Sequence, residues 1–175
     1  MKLKLVYLLL LTSHSPATPD GGTGLRGDFD GDGQTEVATV VRTKVGQGNP
    51  VEDGTPDAYE VRFSNQRKPI PLGCCGARLL NEGDLNDDHT DELSVYQAPM
   101  NGCVYSLETY GFARGRWRQV VHPFLIPTGC AELSESKLQQ RVRKEGRSIY
   151  YYETDVNSKV GLLHKRKAGQ QLISG

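Results

Sequence analysis

Short runs in which hydrophobic and polar residues alternate recur along the chain and predict a mainly β structure. The runs are rich in β-branched and aromatic residues and are bounded by Gly, Pro, Asn and Asp, as is typical of strands separated by turns. We expect strands or short extended segments over residues 37–44, 58–64, 69–73, 77–80, 92–97, 103–112, 116–125, 148–154 and 160–165. Consecutive strands separated by short turns favour antiparallel pairing.

One segment near the C-terminus has a helical pattern instead. Ser136 and Gln139 match the S-x-x-Q form of a capping box, and Leu138 and Val142 lie four residues apart, on one face of a helix. Gly146 follows where a helix would end. The sequence therefore predicts one short helix here, before the last two strands.

The first 17 residues have the order of parts of a secretory signal peptide. Lys2 and Lys4 precede the apolar run 5–11, and a small-residue cleavage site ends at Ala17. The apolar run is far shorter than the roughly 20 residues needed to cross a bilayer, so a buried N-terminal strand or helix is the alternative. We expect removal of the signal peptide, a flexible lead-in at 18–26, and a secreted protein, periplasmic or extracellular.

Composition and charge limit the possible partners. The 175 residues have room for one ordinary domain or two small ones, and 20 Gly with 9 Pro favour a turn-rich β architecture. The formal net charge of +0 provides no long-range field to attract DNA or an anionic membrane. No nucleic-acid partner is expected, and no other apolar run in the sequence is long enough for a membrane span.

Four cysteines remain after the predicted cleavage site: Cys74, Cys75, Cys103 and Cys130. An even number in an exported chain indicates disulfide bonds. A bond between Cys74 and Cys75 would strain the peptide between them, so we expect one of the pair to meet Cys103 and the other Cys130, in either order. The spacing lacks the C-x-x-C and paired His of a zinc site.

The stretch GDFDGDGQTEVATVV, which starts at Gly27, has the parts needed to wrap a loop around a hard cation. Alternate side chains of a tight loop converge on one point, and Gly33 permits the positive φ that would turn the next carbonyl inward. This first acidic loop (28–36) would therefore supply three alternate carboxylates, one backbone carbonyl and one closing acid. The expected Ca²⁺ ligands are Asp28, Asp30, Asp32, Gln34 and Glu36.

A partial copy, GDLNDDHTDELSVY, starts at Gly83. His89 stands where the first loop has Gly33, and one carboxylate is replaced by a neutral amide, so this second acidic loop (84–92) is expected to bind more weakly. Its expected ligands are Asp84, Asn86, Asp88, Thr90 (through its backbone) and Glu92. The sequence thus predicts one Ca²⁺, or two if the second loop is occupied; a hydrogen-bonded acidic turn without metal is the alternative for each loop.

The loops are not EF-hands. An EF-hand needs an acid at position 12 of the loop, where this chain has Thr39 and Val95, each inside a predicted strand.

Both loops begin with the Asp of a Gly-Asp pair and run into an apolar strand, and in this they resemble the FG-GAP/VCBS repeats of integrin-α-type β-propellers and many secreted bacterial proteins. The resemblance covers about residues 26–125 and implies two tandem propeller-blade-like antiparallel units, 27–82 and 83–130, each with a calcium loop. Residues 131–175 would form a C-terminal α/β cap. Two blades cannot close a propeller, which needs at least four, so the units would stay open or close by homo-oligomerisation.

The most favoured function is non-enzymatic: calcium-stabilised binding or scaffolding at the cell surface or in the periplasm, with a protein or a surface glycan as partner. No catalytic residue is identified, because His89, His122 and His164 lie in no recognisable nucleophile or zinc setting. The alternatives are an extracellular glycan-acting hydrolase, since the loops are rich in carboxylates, and a purely structural accessory domain.

Overall fold

The computed structural model describes residues 24–155, 157–158 and 161–169. Within these ranges the elements are β1 (Leu25–Gly27), β2 (Glu36–Lys44), β3 (Ala58–Phe63), β4 (Ile70–Gly73), β5 (Ala77–Gly83), β6 (Glu92–Gln97), β7 (Val104–Ala113), β8 (Arg116–Pro127), α1 (Glu135–Leu138), β9 (Val142–Glu145), β10 (Ser148–Thr154) and β11 (Leu163–Lys167). The predicted mainly β class is confirmed. The predicted signal peptide lies outside the described residues, and the last two residues of the predicted lead-in, Leu25 and Arg26, belong to β1.

The strands form three antiparallel sheets. The first sheet has the order β1-β2-β3-β4 and the second β5-β6-β7-β8, so each is a four-stranded meander, while the third has the order β11-β10-β9. The first acidic loop joins β1 to β2, and the second joins β5 to β6. Strand β5 therefore precedes the expected repeat boundary at residue 83 but pairs within the second sheet.

The second sheet is the middle layer of the molecule, with a hydrophobic core on each face. Leu93 and Val95 of β6 pack in a first core with residues of the first sheet such as Val61. Tyr96 of the same strand packs in a second core, which also contains Val142 of β9. Each fully buried Leu or Val contributes about 1.5–3 kcal/mol through removal of apolar surface from water.

The helix prediction is wrong in extent. Helix α1 has 4 residues and its N-cap is Ser134, not Ser136. Val142 begins β9, and Gly146 adopts a φ of 59° in the two-residue turn between β9 and β10. A glycine at the first central position suits such a hairpin turn, which explains why Gly146 ends a strand rather than a helix. Within the described ranges, no helix is long and apolar enough to cross a membrane.

The disulfide prediction is also corrected. Cys103 is bonded to Cys130, with their Cα atoms 4.7 Å apart, whereas Cys74 and Cys75 carry free thiols. The pairing follows from the long β7–β8 hairpin, in which the Thr128 N–H donates to the Cys103 carbonyl at 2.9 Å and so brings the next residues to Cys103. The adjacent cysteines lie instead in the turn between β4 and β5.

The last strand begins later than predicted, because β11 covers Leu163–Lys167 rather than 160–165. Of that prediction, Val160 lies outside the described residues.

Candidate metal centre

The first acidic loop gathers four of its predicted ligands. One carboxylate oxygen each from Asp28, Asp30, Asp32 and Glu36 lies within 4.8 Å of the other three. Two oxygens that bind one Ca²⁺ at about 2.3–2.6 Å can be no more than about 5 Å apart, so this spacing fits a shared ion. Among His, Cys, Asp and Glu side chains of the described ranges, this is the one set of three or more that gathers so closely.

Backbone hydrogen bonds hold the loop in this shape. The Asp28 carboxylate accepts from the N–H groups of Gly31 at 2.9 Å and Gly33 at 3.0 Å. The two glycines have φ values of 75° and 82°, in the left-handed region. The positive φ predicted for Gly33 is thus confirmed, and the same carboxylate that would face the ion also closes the turn.

Gln34 lies beside the cluster through two contacts with Asp32. Its backbone N–H donates to Oδ1 at 2.8 Å and its side-chain amide to Oδ2 at 3.3 Å.

Glu36 closes the cluster from the interior side. Its side chain is almost fully buried, and Oε2 accepts a hydrogen bond from the Phe29 N–H at 2.8 Å. Burial, and then the negative charges of Asp30, Asp32 and Asp28, raise the pKa of this carboxyl above its usual range. A cation among the four acids would remove this repulsion.

Two residues of the β3–β4 turn belong to the site but were not predicted from the sequence. Arg67 Nε lies 2.7 Å from Asp30 Oδ2, and the Asn65 amide donates to the same oxygen at 2.9 Å. They are 37 and 35 residues away in the chain, and no spacing or motif connects them to the loop. Arg67 offsets part of the negative charge of the four acids, and the two contacts together hold the Asp30 side chain in place.

The second acidic loop repeats the backbone of the first, 56 residues later. Asp84 accepts from the N–H groups of Asp87 at 2.7 Å and His89 at 3.0 Å, as Asp28 does from its two glycines. Leu85 N–H donates to Glu92 Oε2 at 2.7 Å, as Phe29 does to Glu36. His89 adopts a φ of 68°, which confirms that a non-glycine residue takes the left-handed conformation here.

Side chains of the second loop form hydrogen bonds with one another. The Asn86 amide donates to Glu92 Oε1 at 2.8 Å, and Thr90 Oγ1 lies 2.5 Å from Asp88 Oδ1. Glu92 is fully buried, and burial followed by the nearby charges of Asp88 and other acids raises its pKa to about 8. The structure does not bring Asp84, Asp88 and Glu92 together as closely as the acids of the first loop.

The two loops contact each other directly. The Asp28 N–H donates to the Asp91 carboxylate at 3.0 Å, and the Asp91 N–H donates to the Asp28 carbonyl at 2.8 Å. In the second loop, the equivalent carbonyl belongs to Asp84. It accepts a hydrogen bond from Lys144 Nζ of β9 at 3.3 Å. The first acidic loop is therefore tied to the second, and the second is tied to strand β9 of the third sheet.

Comparison of the chain with protein-family models, with curated protein sequences and with solved structures gave no match. The fold and the site define a mainly β protein with an acidic cluster that could hold a metal ion.

Proposed function

We propose that the protein is a calcium-binding β module with a non-enzymatic role in binding or scaffolding outside the cytoplasm. The observation that carries the proposal is the gathering of Asp28, Asp30, Asp32 and Glu36 in the first loop. Oxygen-only ligand sets suit hard cations, and Ca²⁺ accepts the irregular geometry of a carboxylate-rich loop, whereas Mg²⁺ demands near-ideal octahedral geometry. The ion would brace the β1–β2 connection against the second loop, leaving a partner protein or glycan to bind elsewhere on the sheets.

A relation to FG-GAP/VCBS repeats is part of this proposal. It is supported by two four-stranded meanders that each carry an acidic loop between their first and second strands, and by the hydrogen bonds that recur 56 residues apart. The second loop would be a weaker calcium site, because its amide and hydroxyl groups already occupy part of its carboxylate oxygens.

Export is supported by the Cys103–Cys130 disulfide, since such bonds persist in oxidising compartments. The signal-peptide-like N-terminus adds to this argument from the sequence.

The hydrolase hypothesis lacks comparable support. A cleft of about 370 Å³ beside the second loop is lined by Glu82 and Asp84. Asp84 is a proposed calcium ligand, so Glu82 is the one carboxylate lining this cleft that is left for acid-base chemistry. Glycoside hydrolysis generally uses two carboxyl groups.

Thermal unfolding with and without calcium tests the proposal. At a free Ca²⁺ concentration 100 times the dissociation constant, binding stabilises the folded state by about 2.7 kcal/mol, which raises the melting temperature by about 5–11 °C for a chain of this size. Asp32→Asn should abolish most of this rise. The variant keeps the oxygen that accepts from the Gln34 N–H, removes the charge, and replaces Oδ2, which accepts from the Gln34 side-chain amide at 3.3 Å, by an NH2 group.

Asp53→Asn is the matched control, because Asp53 is an exposed acid in the β2–β3 loop and should leave the calcium response unchanged. An equal calcium response in the wild type and Asp32→Asn would contradict the assignment of the first loop. Equal stabilisation by Mg²⁺ would contradict the choice of ion.

A further inference from the structure

A second candidate metal site lies away from the acidic loops, in a cleft of about 260 Å³ between the β2–β3 loop and the β4–β5 turn. Cys74, Cys75 and Met100 line it. Apart from the Cys103–Cys130 disulfide, these three side chains hold all the sulfur atoms in the described ranges. We call this the sulfur cleft. Three sulfur-containing side chains from two separate turns thus line one cleft on the surface.

The backbone brings the two thiols together although they belong to adjacent residues. In an extended strand, successive side chains point to opposite faces. Cys75 departs from that geometry with a φ of 77°, in the left-handed region, and its thiol lies close enough to that of Cys74 for the two to interact electrostatically. A non-glycine residue held at such a φ costs roughly 1–2 kcal/mol, and strain of this kind is concentrated at functional sites.

The strained turn is held by the neighbouring sheet. The Gln97 side-chain amide donates to the Leu72 carbonyl at 2.7 Å and to the Cys74 carbonyl at 2.6 Å. The Ala98 N–H donates to the Gly76 carbonyl at 3.0 Å, which ties the cysteine turn to the chain that leads to Met100. These hydrogen bonds tie the backbone of the cysteine turn to β6 and to Ala98, two residues before Met100.

The local charge favours a cation. Asp57 also lines the cleft, and its negative charge acts on the Cys75 thiol. A metal ion supplies the positive charge that displaces thiol protons.

We propose that the sulfur cleft binds one copper(I) ion through the Sγ atoms of Cys74 and Cys75 and the Sδ atom of Met100. Thiolate and thioether ligands together select soft ions, and among the biological metals Cu(I) accepts such a set at low coordination number. On binding, each thiol loses its proton to solvent and forms a Cu–S bond, while the thioether donates a lone pair. No electron is transferred, so the oxidation state of copper is unchanged.

The test is a competition titration of the whole protein against a chromophoric Cu(I) chelator, without oxygen and with ascorbate, which keeps copper reduced and leaves the disulfide intact. A thiol assay beforehand should count two free thiols per chain. The wild type should withdraw one Cu(I) per chain from the chelator, and Cys74→Ser/Cys75→Ser should withdraw none. Met100→Leu preserves the size of the side chain and should weaken the Cu(I) affinity at least about tenfold. A loss of this size is typical even when the mutated residue only hydrogen bonds to a metal ligand.

Asp32→Asn serves as the control and should bind Cu(I) like the wild type, so that failure of the calcium proposal and failure of this one can be told apart. The proposal is overturned if the chelator keeps all the copper, or if the double cysteine variant binds Cu(I) as tightly as the wild type. If that variant does not fold, X-ray absorption of the wild-type complex decides: three sulfur ligands support the proposal, and nitrogen or oxygen ligands contradict it.

Discussion

Glu36 and Glu92 occupy equivalent positions, and each is a buried carboxylate that accepts from the backbone N–H seven residues earlier. A buried charge is costly unless an opposite charge or several hydrogen bonds compensate it. At Glu36 the nearest charged groups include three further carboxylates. A cation at the centre of the first loop is the simplest compensation.

Replacing Glu36 by Gln should therefore have opposite effects with and without calcium. In chelator the variant should be more stable than the wild type, because it removes a buried negative charge while the amide oxygen can still accept from the Phe29 N–H. With calcium it should be stabilised less, since one ligand charge is lost. Urea unfolding in both conditions measures this; a variant that loses stability in chelator and keeps the full calcium response would contradict the role given to Glu36.

Glu82 provides a test by pH. Its Oε1 is buried without a hydrogen-bond partner, and burial raises the pKa of the carboxyl to about 7, from an ordinary value of 4.5. The folded state therefore binds this proton more tightly than the unfolded state, and the wild type loses stability as the pH rises through 7. Glu82→Gln should be more stable than the wild type at pH 8, by on the order of 1–3 kcal/mol, with a smaller difference at pH 5.

Unfolding of both proteins in chelator across this pH range measures the difference. Glu52→Gln, at an exposed acid of the β2–β3 loop, is the control and should track the wild type. A Glu82→Gln stability difference that does not change with pH would show that the carboxyl does not titrate in this range.

At the level of single residues, the acids and the turn of the first loop could be predicted from the sequence, but the residues that contact the loop could not. The alternating acids and the left-handed turn at Gly33 could be predicted because they are local. The contact of Arg67 with Asp30 could not, because it depends on how the β3–β4 turn folds back over the loop. The pairing of Cys103 with Cys130 likewise depends on the length of the β7–β8 hairpin, which spacing alone does not reveal.

At the level of elements, the two acidic loops support each other through a close contact at Gly31. A Cβ atom added there would lie 2.6 Å from Thr90 Cγ2, whereas one added at Gly33 meets nothing within 4 Å. Both glycines have positive φ, so the backbone strain of an Ala substitution is similar, about 1–2 kcal/mol. The two positions differ mainly in the contact between loops.

Gly31→Ala should consequently destabilise the protein more than Gly33→Ala, by about 1–3 kcal/mol, the typical cost of overpacking. Thr90→Ser removes the Cγ2 atom that the new methyl would meet, so it should recover much of the extra loss at Gly31 and none of the loss at Gly33. A double-mutant cycle on unfolding free energies measures this coupling. Equal losses at the two glycines would contradict the contact between loops.

The helical pattern at 136–146 shows how local signals can mislead at this scale. Leu138 and Val142 are both buried in the second core, as a helical face would require. They reach it from different elements, because Val142 pairs with Tyr151 in the β9–β10 hairpin. Spacing alone does not distinguish one amphipathic helix from a helical turn followed by a strand.

At the level of the whole molecule, the second sheet belongs to both cores, so the layers should unfold together. Leu93 lies in the first core and Leu107 in the second, and both are fully buried. Leu93→Ala and Leu107→Ala should each cost about 2–5 kcal/mol and leave a single unfolding transition. Circular dichroism and tryptophan fluorescence should give coincident curves; two separate transitions in either variant would contradict shared cores.

The repeat of acidic loops was visible in the sequence, but the stacking of three sheets was not. The expected boundary at residue 83 follows the loop motif, whereas the sheets change between β4 and β5, at the cysteine turn. The first five residues of β6 are all buried because the two faces of the strand pack in different cores. This burial on both faces depends on the stacking of the sheets.

Calorimetric titration of the metal-free protein with Ca²⁺ measures binding at the first acidic loop. We expect saturable binding of one ion that is lost in Asp32→Asn and kept in Asp53→Asn, with any second, weaker event arising from the loop at 84–92. Absence of any binding up to millimolar calcium, with the protein folded, would contradict this expectation, and the acidic cluster would then be a turn held by hydrogen bonds alone.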